Sequence, residues 1–216
     1  MSLLDRTFAA LYDPAMARAE RGELGERRRQ LLRDSAGHVV DVGAGTGVVL
    51  DHLGPAVEKV TLIEPNPEMA ARLRRRARRG LADADGREAA AKAVVDVREA
   101  PAEALPLPDE SVDTAVSMLV LCSVDDPMRA LAEIRRVVRP GGRLALIEHV
   151  AAPGPTGWLQ RALAPTWRVL ARGCRLHRDT GSLLVAAGFD VSDVHAWRLP
   201  GGGPAAHAIA GIARPR

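Results

Sequence analysis

The chain has 216 residues, a mass of 23.0 kDa and a formal net charge of +3. With 47% hydrophobic residues, this length fits one α/β domain that buries a sizeable core, and it requires no second domain. No apolar stretch approaches the roughly 20 residues that a bilayer-crossing helix needs, so we expect no such helix and a soluble protein.

The N-terminal segment, residues 1–36, shows helical patterns around Pro14 and from Leu24 to Leu32. We expect it to fold as a helical lid over the carboxyl edge of a sheet, because that edge is where open α/β sheets bind ligands. Tyr12 could close over a ligand from this lid. A tyrosine that only packs one helix on another is an equally good interpretation.

From residue 38 onward, short runs rich in Val, Ile, Leu and Ala alternate with helical patterns. The apolar runs predict strands at 38–42, 59–63, 93–97, 112–118, 143–150, 189–197 and 206–213. The helical patterns predict helices at 46–53, 67–79, 127–138 and 178–187. Strands and helices in alternation predict an α/β fold built on a mostly parallel sheet of seven strands, with helices on both faces.

Two helix boundaries can be predicted from turn and capping residues. In the helix at 127–138, an apolar face ends just before Pro140-Gly141-Gly142, a sequence that stops a helix. The members of that face are Leu131, Ile134, Val137 and Val138. In the helix at 178–187, Asp179 or Thr180 is expected to serve as the N-cap.

The most informative motif is Val39-Val40-Asp41-Val42-Gly43-Ala44-Gly45-Thr46-Gly47, a buried strand that runs into a glycine-rich turn. The glycine spacing is G-x-G-x-G, whereas the dinucleotide fingerprint is G-x-G-x-x-G, whose last glycine lets a helix close on a pyrophosphate. Asp41 would repel a pyrophosphate. The motif therefore favours a nucleotide-like ligand with a cationic end.

Glu64 ends the next apolar run, 21 positions after Gly43. This spacing is close to that at which an acidic residue accepts hydrogen bonds from ribose hydroxyls. Together, the two motifs indicate a ligand that contains a nucleoside.

The motif D-x-G-x-G-x-G with a strand-terminal Glu resembles the class I S-adenosylmethionine-dependent methyltransferases, whose fold is Rossmann-like with an antiparallel last strand. The segments Leu105–Asp113 and Val138–Gly142 resemble the ubiquinone-biosynthesis-type branch, so the likeness runs over 38–150. The segments Leu119–Val124, Glu148–Ala151, Pro165–Trp167 and Gly173–Thr180 resemble the methyltransferase-like family of small-thiol S-methyltransferases.

This resemblance implies that the cofactor is S-adenosylmethionine, which leaves as S-adenosylhomocysteine. Glu64 would hold the ribose diol, and Asn66 and Met69 would flank the adenine. The family commonly has an Asp where this chain has Ala102, which leaves the adenine amino group to backbone or to Glu103. The full set of implied cofactor residues is Tyr12, Asp41, Gly43, Ala44, Gly45, Gly47, Glu64, Pro65, Asn66, Met69, Ala102, Glu103, Met118 and Leu119.

The same resemblance implies a small, largely apolar acceptor. His149 is the candidate catalytic residue, because an imidazole that titrates near neutrality can take or steer the acceptor proton, and a histidine that only lines the pocket wall is an equal alternative. Cys174 is expected to line the pocket rather than to act as a nucleophile, since direct methyl transfer needs no covalent enzyme intermediate. The predicted acceptor-site residues are Cys122, His149, Trp158, Trp167, Cys174 and Arg178.

Several partners are not expected. Cys122 and Cys174 are distant in sequence and have no C-x-x-C or His spacing, so we predict reduced thiols and no metal site. The arginine-rich end of the helix at 67–79 has no interleaved aromatics, so we predict a solvated helix face and no nucleic-acid partner. Animal members of the family carry a hydrophobic N-terminal anchor, which we do not carry over, and we expect a cytoplasmic protein.

The domain organisation expected is one methyltransferase domain over 1–216. It comprises the lid at 1–36, a cofactor-binding core at 38–150, an acceptor-pocket insertion at 151–176, and a C-terminal helix with strands at 177–216. The leading hypothesis is methyl transfer to a small thiol. The alternatives are an O-, N- or C-methyltransferase acting on a quinone, lipid or natural-product intermediate, a nicotinamide-dependent oxidoreductase, and a cofactor-binding scaffold without turnover.

Overall fold

A computed structural model describes residues 17, 19–78, 93–171, 173–199, 201 and 203–216. Most of the predicted lid, including Tyr12, lies outside these residues, as does residue 79 at the end of the predicted arginine-rich helix. The chain divides into two compact units, Met1–Pro101 and Ala102–Arg216.

The first unit contains three parallel β-strands and several helices. Strand β1 pairs with β2, and β2 pairs with β3. The first two of these strands are completely buried at their carboxyl ends, as expected for apolar runs covered on both faces. In chain order its elements are α1 (Glu23–Leu32), β1 (Ala36–Val42), a 3₁₀ helix (Val48–His52), β2 (Ala56–Ile63), α2 (Pro67–Arg78) and β3 (Val94–Arg98).

The second unit has a parallel pair, β4 with β5, and two antiparallel pairs, β5 with β7 and β7 with β6. The last strand of the chain therefore lies between β5 and β6. In chain order the elements are β4 (Val112–Met118), α3 (Pro127–Val137), β5 (Val138–His149), α4 (Gly154–Leu170), α5 (Thr180–Ala186), β6 (Phe189–Arg198), a 3₁₀ helix (Gly203–Ala206) and β7 (His207–Pro215).

The strand order is β3-β2-β1 in the first unit and β4-β5-β7-β6 in the second. The predicted Rossmann-like fold, a mostly parallel seven-stranded sheet with an antiparallel last strand, is therefore confirmed. All seven strand predictions correspond to an observed strand, with boundaries that differ by a few residues.

The helix predicted at 46–53 is wrong in type and length. The structure has a 3₁₀ helix of five residues, Val48–His52, between Gly47 and Leu53. Gly47 has a φ of 86°, which no residue inside a right-handed helix adopts, and Leu53 is already extended. The glycine turn therefore occupies residues that the sequence pattern assigned to the helix.

The predicted boundaries of α3 and α5 agree with the structure. All four residues of the predicted apolar face of α3 are buried, and the helix ends at Val137. Asp179 is the N-cap of α5, with its side chain accepting a hydrogen bond of 3.1 Å from the Ser182 N–H. However, β5 begins at Val138 rather than residue 143, because its pairing with β4 shifts register around Pro140-Gly141-Gly142.

The predicted insertion at 151–176 contains α4, a helix of 17 residues that the sequence pattern did not predict. Its prolines concealed the helical pattern, although one of them stands in the first turn, where a missing N–H costs nothing. Gln160 anchors the helix. Its fully buried amide accepts from the Ala152 N–H at 2.7 Å and donates to the Pro204 carbonyl at 2.9 Å. None of the helices within the described ranges is long and apolar enough to cross a membrane.

Candidate cofactor and acceptor sites

The glycine turn after β1 depends on left-handed backbone conformations at alternate positions. Gly43, Gly45 and Gly47 have φ values of 71°, 57° and 86°, which favour glycine strongly. At Gly47 space is also short, since a Cβ atom there would lie 2.5 Å from the Cδ1 of Leu73 in α2. The turn therefore requires glycine for its backbone, and its last glycine also lets α2 approach.

Glu64 is tied to this turn by backbone hydrogen bonds. Its Oε2 accepts from the Gly45 N–H at 2.8 Å, and its Oε1 accepts from the Asn66 N–H at 2.8 Å. Burial raises the pKa of Glu64, and these two N–H groups oppose that rise by stabilising the carboxylate. Each carboxylate oxygen keeps a lone pair for a further donor, such as a ribose hydroxyl. The carboxylate thus orders the turn and still has acceptor capacity for a ligand.

Asp41 is buried near the end of β1, with 2% of its surface exposed. Burial raises its pKa to about 7, with a smaller opposing effect of the Arg28 guanidinium and a rise from the Glu64 charge. Its Oδ2 is buried without a hydrogen-bond partner among the described residues. An orphaned acceptor beside a glycine turn is suited to a ligand that brings a donor or a positive charge, as the motif predicted.

The other implied cofactor residues of the first unit have mixed surroundings. Ala44 and Met69 are buried, and Pro65 is exposed. The Oδ1 of Asn66 accepts from the Glu68 and Met69 N–H groups at 3.0 and 3.2 Å, so it caps the start of α2. Capping was not predicted for Asn66, although an Asn-Pro pair before a helix is a typical signal for it.

In the second unit, Ala102 and Met118 are buried, and Leu119 adopts a φ of 66° just after β4. The Oε1 of Glu103 accepts from the Asp125 and Asp126 N–H groups at 3.1 and 3.2 Å. This carboxylate therefore shapes the turn that leads into α3.

Glu148, which belongs to one of the segments that carry the family resemblance but was not predicted as a site residue, accepts several hydrogen bonds. It is fully buried in β5, and its Oε1 accepts from the Ser117 hydroxyl at 2.7 Å and from the Val120 and Leu121 N–H groups at 3.1 and 3.0 Å. Burial raises its pKa, and these hydrogen bonds oppose the rise. The sequence signal that could have indicated this role is a single acidic residue within the apolar run that forms β5.

Cys122, His149 and Cys174 form one cluster. The two sulfur atoms are 3.5 Å apart, and the Nδ1 of His149 lies 3.6 Å from the Cys122 sulfur and 3.7 Å from the Cys174 sulfur. Both cysteines are free thiols and buried, whereas His149 is half-buried. Thiols 52 positions apart in the chain thus come into contact with an imidazole, a proximity that the spacing of the cysteines along the sequence did not indicate.

Hydrogen bonds and burial shift the pKa values within this cluster. The hydrogen bond to Cys174 and burial raise the pKa of Cys122, and the same contact lowers the pKa of Cys174. For His149, burial alone would lower the pKa, but the contact with Cys122 and the nearby Glu148 charge outweigh it and raise the pKa. The cluster can therefore hold one negative charge on sulfur beside a basic imidazole.

The remaining acceptor-site predictions separate into two groups. Trp167 packs against the buried apolar group that contains the two cysteines, and Arg178 donates to the Leu121 carbonyl and, at 3.0 Å, to the Val124 carbonyl. Trp158 is 68% exposed on α4 and does not join the cluster. Five of the six predicted residues therefore lie in the cluster or next to it, and Trp158 lies outside it.

Comparison with known proteins identifies the class. The family described as a methyltransferase domain matches residues 40–146. Human thiol S-methyltransferase TMT1A is 34% identical over 194 residues, which cover 84% of this chain and 72% of that protein. A phosphatidylethanolamine N-methyltransferase of Cereibacter sphaeroides is 33% identical over 158 residues, which cover 72% of this chain and 71% of that protein. Human thiol S-methyltransferase TMT1B is 36% identical over 165 residues, which cover 75% of this chain and 63% of that protein.

Solved structures agree with this class. An S-adenosylmethionine-dependent methyltransferase from Thermotoga maritima superposes with a TM-score of 0.66 at 25% identity, covering 99% of this chain and 98% of that one. One from Aquifex aeolicus has the same fold, with a TM-score of 0.63 at 19% identity, covering 96% of this chain and 97% of that one. The chain belongs to the class I S-adenosylmethionine-dependent methyltransferases, and its cofactor is S-adenosylmethionine.

Proposed function

We propose that the chain transfers the methyl group of S-adenosylmethionine to the sulfur of a small, largely apolar thiol. The observation that carries this proposal is the chemistry of the Cys122, His149 and Cys174 cluster, in which an imidazole faces two sulfurs at the end of β5. Four of the relatives are named thiol S-methyltransferases, at 34 to 36% identity, which supports the same acceptor class.

The cofactor's binding groups are proposed to lie in the first unit. Glu64 would accept from the ribose hydroxyls with the lone pairs that its two backbone contacts leave over. The orphaned Oδ2 of Asp41 would accept from a donor on the cationic methionine part, and a positive charge nearby would favour the ionised carboxylate. S-adenosylmethionine, when bound, supplies a methyl group that its sulfonium already activates.

The chain's own contribution is alignment and the handling of one proton. Holding two reactants in a productive geometry is worth about 7 to 11 kcal/mol of barrier by effective-molarity estimates. An unperturbed thiol has a pKa near 8.5, so a group such as His149, whose pKa is raised from its ordinary value, can assist its ionisation. An aliphatic hydroxyl is a far weaker acid and would need a much stronger base. The site therefore favours sulfur over oxygen as the acceptor atom.

The acceptor surroundings favour an apolar molecule. Leu176 and Ala205 are buried around the two cysteines, and Trp167 and Ala171 pack against them. A charged acceptor would lose its hydration in such surroundings without finding an opposite charge in this group.

A methyl-transfer assay with butanethiol, butanol and butylamine tests the acceptor class, since these probes share one alkyl chain and differ in the accepting group. We expect methylation of butanethiol alone. The His149→Ala variant should reduce turnover about 100-fold or more, within the range of a lost acid-base group, and leave S-adenosylhomocysteine affinity unchanged. The matched control is His177→Ala, which removes an exposed histidine outside the cluster. Methylation of the alcohol or the amine in preference to the thiol would refute the proposal.

A second candidate is methyl transfer to the amino headgroup of a lipid, because a phosphatidylethanolamine N-methyltransferase is 33% identical over 72% of this chain. Vesicles of phosphatidylethanolamine added to the same assay test this function. Methylated lipid without methylated thiol would favour it.

A further inference from the structure

The spacing of the donor atoms in the Cys122, His149 and Cys174 cluster is regular. The three distances between donor atoms are 3.5, 3.6 and 3.7 Å, so the two sulfurs and the imidazole Nδ1 form a nearly equilateral triangle. All three residues carry groups that bind soft and borderline metal ions when deprotonated.

This triangle has the dimensions of one face of a zinc coordination tetrahedron. Zinc binds thiolate sulfur at about 2.3 Å and imidazole nitrogen at about 2.0 to 2.1 Å, in tetrahedral geometry. With tetrahedral angles, those bond lengths place two sulfurs about 3.8 Å apart and a sulfur and a nitrogen about 3.6 Å apart. The observed distances match these edges within a few tenths of an ångström.

The backbone holds the ligand-bearing loops together. The Arg175 N–H donates to the Cys122 carbonyl at 2.8 Å, which joins the loop after β4 to the segment that carries Cys174. Gly173 has a φ of 98°, and a Cβ atom there would lie 3.1 Å from the Ser123 carbonyl oxygen, so glycine permits this close approach. Leu121, the residue before Cys122, donates its N–H to Glu148, and its carbonyl accepts from Arg178. The donor atoms are thus positioned by contacts that need no metal.

A disulfide or a hydrogen bond between the two thiols would account for fewer of the cluster's contacts. A disulfide would require the sulfurs to approach from 3.5 Å to about 2.05 Å, and it would give the imidazole no part. Separate hydrogen bonds can account for the three sides one at a time, one between the thiols and one between each thiol and the imidazole. A metal ion explains why the Nδ1 of His149 lies almost equally far from both sulfurs.

The number of ligands indicates the kind of site. Among the residues that the structure describes, the group of closely spaced donors at this position has three members. Structural zinc sites are closed by four protein ligands, whereas sites with three protein ligands keep one position for water or substrate. A thiol that enters such a position binds as thiolate, because coordination to zinc removes its proton.

We propose that Cys122, His149 and Cys174 bind one Zn²⁺, and that the sulfur of the thiol acceptor takes the fourth coordination position. The role of the fourth position rests on the proposed function, whereas the metal site itself does not. The acceptor displaces a water molecule from zinc and its proton leaves to solvent, so the step involves no change of oxidation state. In the loaded site His149 would be a ligand, and zinc would replace it in the acidification of the thiol that the proposed function assigns to the imidazole.

Metal loading tests the site without any methyl transfer. The reduced protein is dialysed against Zn²⁺ or Co²⁺, and bound metal is measured by elemental analysis. We expect about one metal per chain, and a Co²⁺ complex with the sulfur-to-metal charge-transfer and intense visible bands of a tetrahedral thiolate site. The variants Cys122→Ser, Cys174→Ser and His149→Ala should each lower metal affinity about tenfold or more. His177→Ala should retain it, and circular dichroism verifies that each variant is folded.

Addition of butanethiol to the Co²⁺ protein tests the fourth position. We expect increased charge-transfer absorption as a third sulfur binds, and no change with butanol. Absence of bound metal from the reduced protein would overturn the zinc site, and a Co²⁺ spectrum insensitive to butanethiol would overturn the role proposed for its fourth position. A thiol-dependent spectrum together with failure to methylate butanethiol would refute the proposed function and retain the zinc site with its thiol ligand.

Discussion

Replacement of Asp41 by Asn should change how the free energy of unfolding depends on pH. Asp41 is buried, and burial raises its pKa in the folded chain to about 7, compared with an ordinary value of 3.8. Each tenfold change in an acid constant corresponds to about 1.4 kcal/mol. The difference between the two values therefore amounts to about 4 kcal/mol of stability for this group, as an upper estimate.

The direction of this pH dependence is set by whether the folded or the unfolded chain keeps the proton on Asp41. Between about pH 4 and about pH 7 the folded chain keeps a proton on Asp41 that the unfolded chain has released, so stability falls as the pH rises through this interval. Below about pH 4 both states are protonated, and the full stability contribution is present. The Asp41→Asn variant has no such group, and its stability should lack this component of the pH dependence.

Urea unfolding at closely spaced pH values measures the effect. We expect the wild-type free energy of unfolding to fall relative to that of Asp41→Asn by up to about 4 kcal/mol between pH 4 and pH 7. Asp34→Asn is the control, because the side chain of Asp34 is 71% exposed. Parallel pH curves for wild type and Asp41→Asn would show that Asp41 ionises normally in the folded chain and would refute this reasoning.

Three further substitutions test the turn and the buried carboxylates. Gly47→Ala should lower the free energy of unfolding by about 2 kcal/mol or more, since it adds a steric clash to the strain of a left-handed backbone. The control Gly141→Ala should show the backbone strain alone, because its φ is 79° and the space around it is open. Equal losses of stability in the two variants would contradict the clash. Glu64→Gln should weaken S-adenosylhomocysteine binding about tenfold or more in calorimetry, because an amide has only one acceptor oxygen, whereas the exposed control Glu58→Gln should not. Glu148→Ala should cost about 3 kcal/mol of stability by leaving buried N–H groups unpaired, and a loss below about 1 kcal/mol in thermal or urea unfolding would argue against that role.

The fold was largely predictable because its signals are local. Buried parallel strands need continuous apolar runs, and each of the seven runs corresponds to a strand. The errors occur where a backbone constraint overrides the residue pattern. Gly47 takes a left-handed conformation, so the predicted helix begins later and forms only a short 3₁₀ turn. In α4, prolines suggested a loop although the chain forms 17 residues of helix.

The site was predictable to the extent that its residues belong to motifs. The glycine turn and Glu64 could be selected from their spacing, whereas the hydrogen bond between them depends on how β1 and β2 pair. Glu148 was not selected, although it begins a segment that carries the family resemblance, because the resemblance assigned it no role. Its importance is visible only from the backbone and hydroxyl donors that surround it.

The sequence by itself determined the class of fold, the glycine turn and the acidic residue at the end of β2, because strand periodicity, glycine spacing and strand-terminal charge act over a few neighbouring residues. The tertiary structure alone decided that two cysteines 52 positions apart meet at one imidazole. Distances between side chains on separate elements depend on strand register, loop paths and backbone contacts such as that of Arg175 with Cys122, and no spacing along the chain contains them.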